Sequence, residues 1–582
     1  VWRATPRWLI LSLLITLADA LIPVAQLYVG KLIVDWVVQN AGVAERAVRP
    51  LIQLVVIEFG LVLLQSLLSQ GQSFVSQVMK DRFALDANQV LLQQAIALDL
   101  AHYERPEFHD LLNRAQQSGG SYLLRVLDIL NRLIGQIVGL GGLLALLLNF
   151  NPAVTAILFL TATPAFWVGV RYSRRRFWMM RRQTPNNRLS EYFERVLTQE
   201  AFAKEVRLFN LGSYLLDQWR HIRGQFNRES AQLAGRQAAA NVGIGTLAST
   251  GFYAAYGVVL AQAVAGRITI GDLTLYAGTF QQAQNRIQGI LSNIALLYEY
   301  GLYVSQYFEF LDLTPQVVSP RSPLPFPEPI RQGLALRDVT FTYPGASTPT
   351  LQNINLTVAP GECIALVGVN GSGKTTLLKL LNRFYDLDAG DITIDGVPLT
   401  AFNLADLRRN VGVLFQDFAR YALSVEENIG FGNLTQRENP EAIRQAASDA
   451  GATAMITTLD QGYDTILGKI FNDGVELSGG QWQKIGLARA FMGTAQVLIL
   501  DEPTAAVDAI AEHDLFQRFR QLTQGKMTFL VSHRFSTVRI ADRIVVLADG
   551  GIVEVGSHSE LLAQEGLYAQ MFNLQAESYQ LE

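Results

Sequence analysis

Apolar positions follow two regimes along the 582-residue chain. Up to about residue 310 they form long runs with few breaks, and beyond it they shorten to strand length between glycine-rich turns and amphipathic segments. A helix needs roughly 20 mainly apolar residues to cross a bilayer. Six stretches qualify, at about 7–38, 50–70, 122–148, 153–172, 240–264 and 272–300. Segments 138-VGLGGLLALLLNF-150 and 153-AVTAILFLTATPAFWVGV-170 have no polar face, which speaks against a soluble helical core. The pattern predicts six membrane-spanning helices followed by a soluble α/β domain.

The polar segments orient this membrane region. The connections at 39–49, 149–152 and 265–271 are short, and their only basic residues are Arg46, Arg49 and Arg267. Those at 71–121 and 173–239 are long, and the second opens on 174-RRRFWMMRR-182. Basic residues accumulate on the cytoplasmic side, so the long connections and both ends of the membrane region are expected there. The basic run itself reads as a headgroup anchor. Stretches 84-ALDANQVLLQQAIALDL-100 and 190-SEYFERVLTQEAFAKEVRLF-209 keep helical periodicity, so the spans are expected to continue into the cytoplasm for on the order of 30–40 Å. Turns are predicted at 105–115 and 210–219, with Tyr103 and Phe108 as candidate contacts to the soluble half. Asp19, Glu58, Asp128, Arg132 and the run 281-QQAQNRIQ-288 fall within the spans. A charge at mid-membrane costs at least ~2.5–3.5 kcal/mol, so these groups either pair with one another or face a cavity.

Composition sharpens the picture in three places. Charged residues make up 17% and hydrophobic ones 49%, against roughly 25% charged in soluble proteins. The net charge of −4 argues against nucleic acid as a partner. The single cysteine, Cys363, excludes an internal disulfide framework and reads as a small buried hydrophobe. The chain opens on Val1 instead of Met, so an earlier segment is expected.

Six prolines (Pro315, Pro320, Pro323, Pro325, Pro327 and Pro329) mark a boundary. The expected division is a membrane domain at 1–314, a linker at 315–334 and a nucleotide-binding domain at 335–582. Strand 364-IALVG-368 runs into 368-GVNGSGKT-375, which matches G-x-x-x-x-G-K-[ST] in strand–loop–helix context. Gly368, Asn370, Gly371, Ser372 and Gly373 would wrap phosphates with backbone N–H groups. Lys374 supplies a charge to the terminal phosphates, and Thr375 offers a hydroxyl to Mg²⁺, with Thr376 beside it. Strand 497-VLIL-500 ends in Asp501, placed for Mg²⁺, and Glu502, placed to polarise a water. His533 after 528-TFLVS-532 and Gln416 after 411-VGVLF-415 follow further strands, the first as a γ-phosphate sensor and the second toward Mg²⁺ or water. A second glycine turn, Ser478, Gly479, Gly480 and Gln481, heads an amphipathic helix and is another ready anion site.

In this order the motifs resemble the ATP-binding cassette of ABC transporters, and the whole chain is similar to exporter half-transporters. The resemblance makes Tyr343 the aromatic that stacks on adenine and Gly368 to Thr376 the Walker A loop. It makes Gln416 the Q-loop, Leu477 to Gln481 the signature motif, Asp501 with Glu502 the Walker B end, Asp508 the D-loop and His533 the switch histidine. It implies ATP and Mg²⁺ as cofactors, a homodimer with a second copy of the chain, membrane lipid around it, and a bacterial inner membrane with the cassette in the cytoplasm. The D-loop reads 505-AAVD-508, and 467-LGKIFNDGVE-476 lacks the glutamate-arginine-glycine turn of multidrug and lipid exporters. That segment, 481-QWQK-484 and 103-YERPEFHDLLNRA-115 look more like the branch exporting lantibiotics and other peptide natural products. No cysteine precedes the first span, so leader cleavage is not expected of this chain. The expected function is ATP-driven export of an amphipathic compound, first a peptide or lipopeptide. A lipid or lipid-linked flippase or a multidrug exporter is the alternative, and a membrane ATPase gating a channel or partner is the different-class alternative.

Overall fold

The computed structural model describes residues 6–41, 48–117, 122–493, 495–503 and 522–580. It divides into two units, Val1–Ala97 with Pro106–Leu313, and Leu98–Arg105 with Thr314–Glu582.

Six long helices build the first unit: α1 (Pro6–Gln39), α2 (Arg49–Ala97), α5 (Leu123–Phe150), α6 (Pro152–Arg182), α9 (Gly212–Val264) and α10 (Ile270–Leu311). Shorter helices lie between them, namely α4 (Pro106–Gln117), α7 (Thr184–Thr198) and α8 (Glu200–Leu208), and α3 (Leu100–Tyr103) belongs to the second unit. At 1.5 Å per residue α2 and α9 are about 70–80 Å long, so they far outrun a hydrocarbon core of about 30 Å. Five of the six are long and apolar enough to cross a membrane. The apolar window of α2 has no buried residue, and Val56 and Phe59 are 61% and 60% exposed, as a lipid-facing helix requires. The sixth, α10, falls short because Gln281 to Gln288 interrupt it. Two of this run are bonded across helices, Gln284 to the Ala248 carbonyl (2.8 Å) and Arg286 to the Gly135 carbonyl (3.2 Å), and Asn293 further on donates to Gln136 (3.0 Å).

The other intramembrane charges divide between pairing and a cavity. Lys80 meets Asp128 at 2.7 Å, and Ser76 donates to the same carboxylate. Ser12, fully buried, accepts from both Gln72 and Asn131 at 2.8 Å. Around them a cavity of about 680 Å³ opens between α1, α2, α5 and α10, with Asp19, Arg132 and Arg286 in its wall. At the other end of the helices Thr269 and Asp272 form a capping box that starts α10, and Lys31 of α1 pairs with Asp272 at 2.6 Å.

The second unit holds two sheets. Strands β1 (Leu334–Phe341), β2 (Leu351–Val358), β4 (Ala389–Ile394) and β5 (Val397–Pro398) form an antiparallel sheet in the order β2-β1-β4-β5. The other strands are β3 (Cys363–Val367), β6 (Val411–Leu414), β7 (Val497–Asp501), β8 (Met527–Val531), β9 (Arg543–Ala548) and β10 (Gly551–Gly556), in the order β10-β9-β3-β8-β7-β6. All pairs in that sheet are parallel except β9–β10. Strands β3, β7 and β8 are buried at every position, as expected of parallel strands covered on both faces. Cys363 is buried at the start of β3, and burial with Asp542 and Glu362 beside it pushes its thiol up to about 12, so it is inert. The proline-rich stretch is packed, with Phe326 and Ile330 in the core and Gln496 bonded to both Ile330 and Pro327.

The segments expected at the turn divide between the units: Leu98–Arg105 belongs to the second, and Pro106–Leu313 to the first. Ala101 joins the core cluster of the second unit, and Glu104 meets Lys379 of α11 (Lys374–Leu381) at 2.7 Å and accepts from the Tyr385 hydroxyl. Asp99 accepts from the amide of Val317. Phe108, by contrast, is buried in the first unit beside Phe310, on the amphipathic helix α4. Residues 212–219 of the other expected turn open α9. Tyr103 is half-buried in α3.

These contacts give a test. Glu104→Ala removes the acceptor shared by Lys379 and Tyr385, so amide exchange of residues 98–105 should quicken while ATP turnover persists. Unchanged exchange across that segment would show that Ala101 and Asp99 alone hold it.

Candidate functional site

Four parallel strands end on one edge of the six-stranded sheet, and each delivers a predicted site residue there. β3 leads into the glycine loop, β7 ends in Asp501-Glu502, β8 leads to His533 and β6 to Gln416. A cavity of about 410 Å³ opens at this edge. Its walls include Asn370, Gly371, Ser372, Gly373, Lys374 and Thr375 from the loop and the start of α11. Thr376, Gln416, Asp501, Glu502 and His533 of the predicted set also line it, Thr350 and Val531 join them, and Gly368 does not.

The loop has the properties of an anion cradle. Gly373 sits at φ +100°, where a side chain is strained, and a Cβ there would come within 2.5 Å of Leu351. Lys374 folds back so that its ammonium donates to the carbonyls of Gly368 (2.8 Å) and Val369 (3.0 Å). Burial lowers its pKa, against the pull of Asp501 and Glu502. The buried Ser372 hydroxyl has no hydrogen-bond partner among the described residues.

The carboxylates are arranged for different work. Asp501 is buried, and desolvation, then the charge of Glu502, push it up to about 6; the Thr375 hydroxyl at 3.3 Å and Lys374 pull the other way. Glu502 adopts φ +51°, a left-handed conformation uncommon outside glycine that stores roughly 1–3 kcal/mol of strain. Its amide donates to Val531 (2.9 Å), and its carbonyl accepts from Gln483 (2.8 Å). So held, its carboxylate accepts from Gln416 Nε2 (3.1 Å) and lies 3.3 Å from His533 Nε2.

Two groups of predicted residues stand apart from the cavity. Tyr343 is its neighbour, with its hydroxyl 3.1 Å from Thr376 Oγ1 and Lys379 5.5 Å from its ring centre. Ser478 is the N-cap of α12 (Gly479–Phe491): its hydroxyl accepts from the Gln481 amide, and the Gln481 side chain accepts from the Ser478 amide. Ser478, Gly479, Gly480 and Gln481 are not among the residues lining the cavity. Asp508 lies outside the described residues.

Sequence reasoning missed Gln483, which fixes the turn carrying Glu502, and Thr350, which closes the cavity ahead of β2. Neither belongs to a motif. The helical position of Gln483 one turn beyond Ser478 was the available signal.

A bundle of membrane helices on the same polypeptide as a P-loop ATPase defines an ATP-driven membrane protein. The family model described as "ABC transporter" matches residues 351–505. Over 556 residues the chain is 30% identical to the subtilin transport ATP-binding protein SpaT of Bacillus subtilis, covering 96% of this chain and 90% of that protein. It is also 30% identical over 523 residues to the ATP-dependent lipid A-core flippase of Bordetella avium (strain 197N), covering 89% of this chain and 86% of that protein. In fold it is similar to a bacterial Atm1-family ABC exporter solved with ATP bound, at a TM-score of 0.82, 23% identity and 99% coverage of both chains. The chain belongs to the ABC transporters, as an exporter half-transporter carrying one membrane region and one cassette. It is a multi-pass membrane protein whose cytoplasmic cassette binds ATP and couples its hydrolysis to transport.

The geometry around Glu502 and Lys374 predicts opposite defects. Glu502→Gln should bind ATP yet hydrolyse it at least ~10²-fold more slowly, since a positioned base contributes on that scale. Lys374→Ala should instead weaken nucleotide binding, because it removes a ground-state phosphate contact. Equilibrium binding and single-turnover hydrolysis separate the two, and near-normal turnover of Glu502→Gln would remove it from the base role.

Proposed function

We propose that two copies of this chain form a homodimeric exporter that carries an amphipathic compound, a peptide or lipopeptide, out of the cytoplasm. Residues 1–314 are its membrane domain, 315–334 its linker and 335–582 its cassette. The observation that carries the dimer is the second anion site. The capping box at Ser478 satisfies its own amide and that of Gln481, and it leaves the Gly479 and Gly480 amides without an acceptor among the described residues. These donors head a helix whose dipole favours negative charge, yet they take no part in the cavity around Lys374. A two-fold axis resolves this: each chain's Ser478, Gly479 and Gly480 cover the phosphate held by the other chain's loop.

Within one cassette the roles follow the contacts. Lys374 exchanges its bonds to Gly368 and Val369 for phosphate oxygens, and Tyr343 takes the adenine face. The Glu502 carboxylate accepts a proton from the attacking water, held in place by Gln416 and His533, and His533 reaches the γ-phosphate. Asp508 contributes from the segment after Glu502. The site fits Mg²⁺: Thr375, Asp501 and the side-chain oxygen of Gln416 are hard donors, and a buried carboxylate raised to about 6 favours a neighbouring cation. When bound there, Mg²⁺ supplies charge neutralisation at the β- and γ-phosphates.

Several observations support an amphipathic substrate. The cavity between α1, α2, α5 and α10 is polar in an otherwise apolar bundle. A relative similar over 96% of this chain is named for subtilin transport. The lipid reading has its own support, since another is named as a lipid A-core flippase.

The dimer has a direct test. In a Cys363→Ala background, Asn370→Cys and Gln481→Cys are combined and the membranes oxidised with and without ATP. Asn370 is exposed on the loop, and a disulfide requires Cα atoms within about 7 Å. The expected product is a band at twice the chain mass, enriched by ATP and absent from either single-cysteine chain. A cross-link confined to the monomer band would mean the loop serves its own nucleotide. For the substrate, inside-out vesicles should accumulate an amphipathic peptide with ATP, and Glu502→Gln should abolish this. Movement of a labelled lipid without any peptide accumulation would select the lipid reading.

A further inference from the structure

Where α6 and α9 run side by side, two helical stripes face each other across a cavity of about 720 Å³. The α6 stripe is Trp167, Arg171, Arg174, Arg175, Trp178 and Arg182, at the three- and four-residue spacing that keeps side chains on one face. The α9 stripe is Glu229, Gln232, Leu233 and Arg236, at the same spacing. The Tyr172 hydroxyl donates to the Arg236 carbonyl at 3.1 Å, and Arg176 donates to Gln237 at 3.0 Å, so the two helices are fixed to each other.

The charge balance of this cavity is one-sided. Five guanidinium groups face one carboxylate, and Glu229 is already bonded to Gln183 at 2.6 Å. Among the described residues no carboxylate pairs with Arg171, Arg174, Arg175, Arg182 or Arg236; Arg175 makes only a cation–π contact to Tyr172. Confined like charges repel, so the cavity favours an anion of more than one charge or more than one oxygen. Arginine forks recognise phosphate oxygens in pairs.

The two ends of the cavity differ in chemistry. Trp167, Val168 and Val170 belong to the apolar run of α6, whereas the arginines start at Arg171. From Trp167 to Arg182 the lining extends about 22 Å along the helix. The occupant that satisfies both ends has an anionic head and an apolar tail. The arginine end faces the cytoplasm, where basic pockets between membrane helices hold phosphorylated headgroups.

We propose that the α6–α9 cavity is a binding site for an anionic glycerophospholipid of the cytoplasmic leaflet, its phosphate among the arginines and its acyl chains along Trp167 and Val168. This is a discrete site, and it goes beyond the diffuse headgroup anchoring that the basic run alone implies. The neighbours Arg175 and Arg176 show the difference: they lie at the same depth, but Arg175 lines the cavity and Arg176 turns to Gln237. The site rests on the membrane placement of the chain, not on any reading of the exported compound.

The test uses the full-length chain, purified in detergent, delipidated and titrated with dioleoyl-phosphatidylglycerol or dioleoyl-phosphatidylcholine while bound lipid is counted by native mass spectrometry. Saturable binding of phosphatidylglycerol at one per chain is expected, with phosphatidylcholine much weaker. Arg171→Gln with Arg175→Gln should weaken it more than about tenfold, since two charge-assisted hydrogen-bonding groups are lost. Arg176→Gln should stay within about twofold, as expected of a screened charge outside the site. ATP binding by each variant confirms that it is folded. Equal losses from Arg175→Gln and Arg176→Gln would overturn the site in favour of a diffuse belt. Equal affinity for phosphatidylcholine would overturn it too, as would displacement by inorganic phosphate as effective as by the lipid, which would make the ligand a soluble anion.

Discussion

The parallel alignment of β3, β8, β7 and β6 is the constraint on which the rest of the cassette depends. Parallel strands end on a common edge, so four chain segments far apart in sequence bring their next residues to one place. Each segment then needs only a short, specific turn. The turn after β7 is the most demanding, because it sets Glu502 in a left-handed conformation between the Val531 carbonyl and the Gln483 amide. Gln483 lies on the helix that Ser478 caps. The backbone of Glu502 is therefore tied to the helix that Ser478 caps, and a shift of either is felt by the other.

A second dependence runs through Glu104. Its carboxylate meets Lys379 and Tyr385, and Lys379 in turn lies over the ring of Tyr343. Burial opposes the charge on Lys379, but its bonds to Glu104 and Tyr343 together raise its pKa, so the ammonium stays charged at neutral pH. The chain linking two membrane helices, α2 and the stretch leading to α5, thus passes through the cassette's own packing beside the residue assigned to adenine. Anything that alters Tyr343 alters the setting of Lys379, and through it the segment 98–105.

Much of this was legible in the sequence because each phosphate-site residue sits within a few positions of a strand end. Gln416, Asp501, Glu502 and His533 could be placed from strand-length apolar runs alone, and all four meet at the cavity. What was not legible depends on partners distant in sequence. Glu104 finds Lys379 275 positions away, and no local pattern separates it from its neighbours at 105–115. Phe108 looks like a docking residue in sequence, yet on the amphipathic α4 it is an ordinary core side chain. The proline stretch reads as a tether, but Phe326 and Ile330 bury it. The polar run of α10 reads as either paired or facing a cavity, and the partners that Gln284, Arg286 and Asn293 find lie on α5 and α9, far off in sequence.

The same accounting of polar groups underlies the proposal of a second chain. At the first site the demand is internal: Lys374 has carbonyls to bond and Glu502 has Gln416 and His533, so one chain alone can hold the geometry. At the second, the side chains of Ser478 and Gln481 each accept from the other's backbone amide, and the Gly479 and Gly480 amides have no acceptor among the described residues. Glycine at 479 and 480 is a poor choice for helix stability, costing roughly 1 kcal/mol each relative to alanine. It is a good choice where another molecule's phosphate must approach the backbone closely. A helix start open to approach, set apart from the cavity around Lys374, is what the proposed second chain would use.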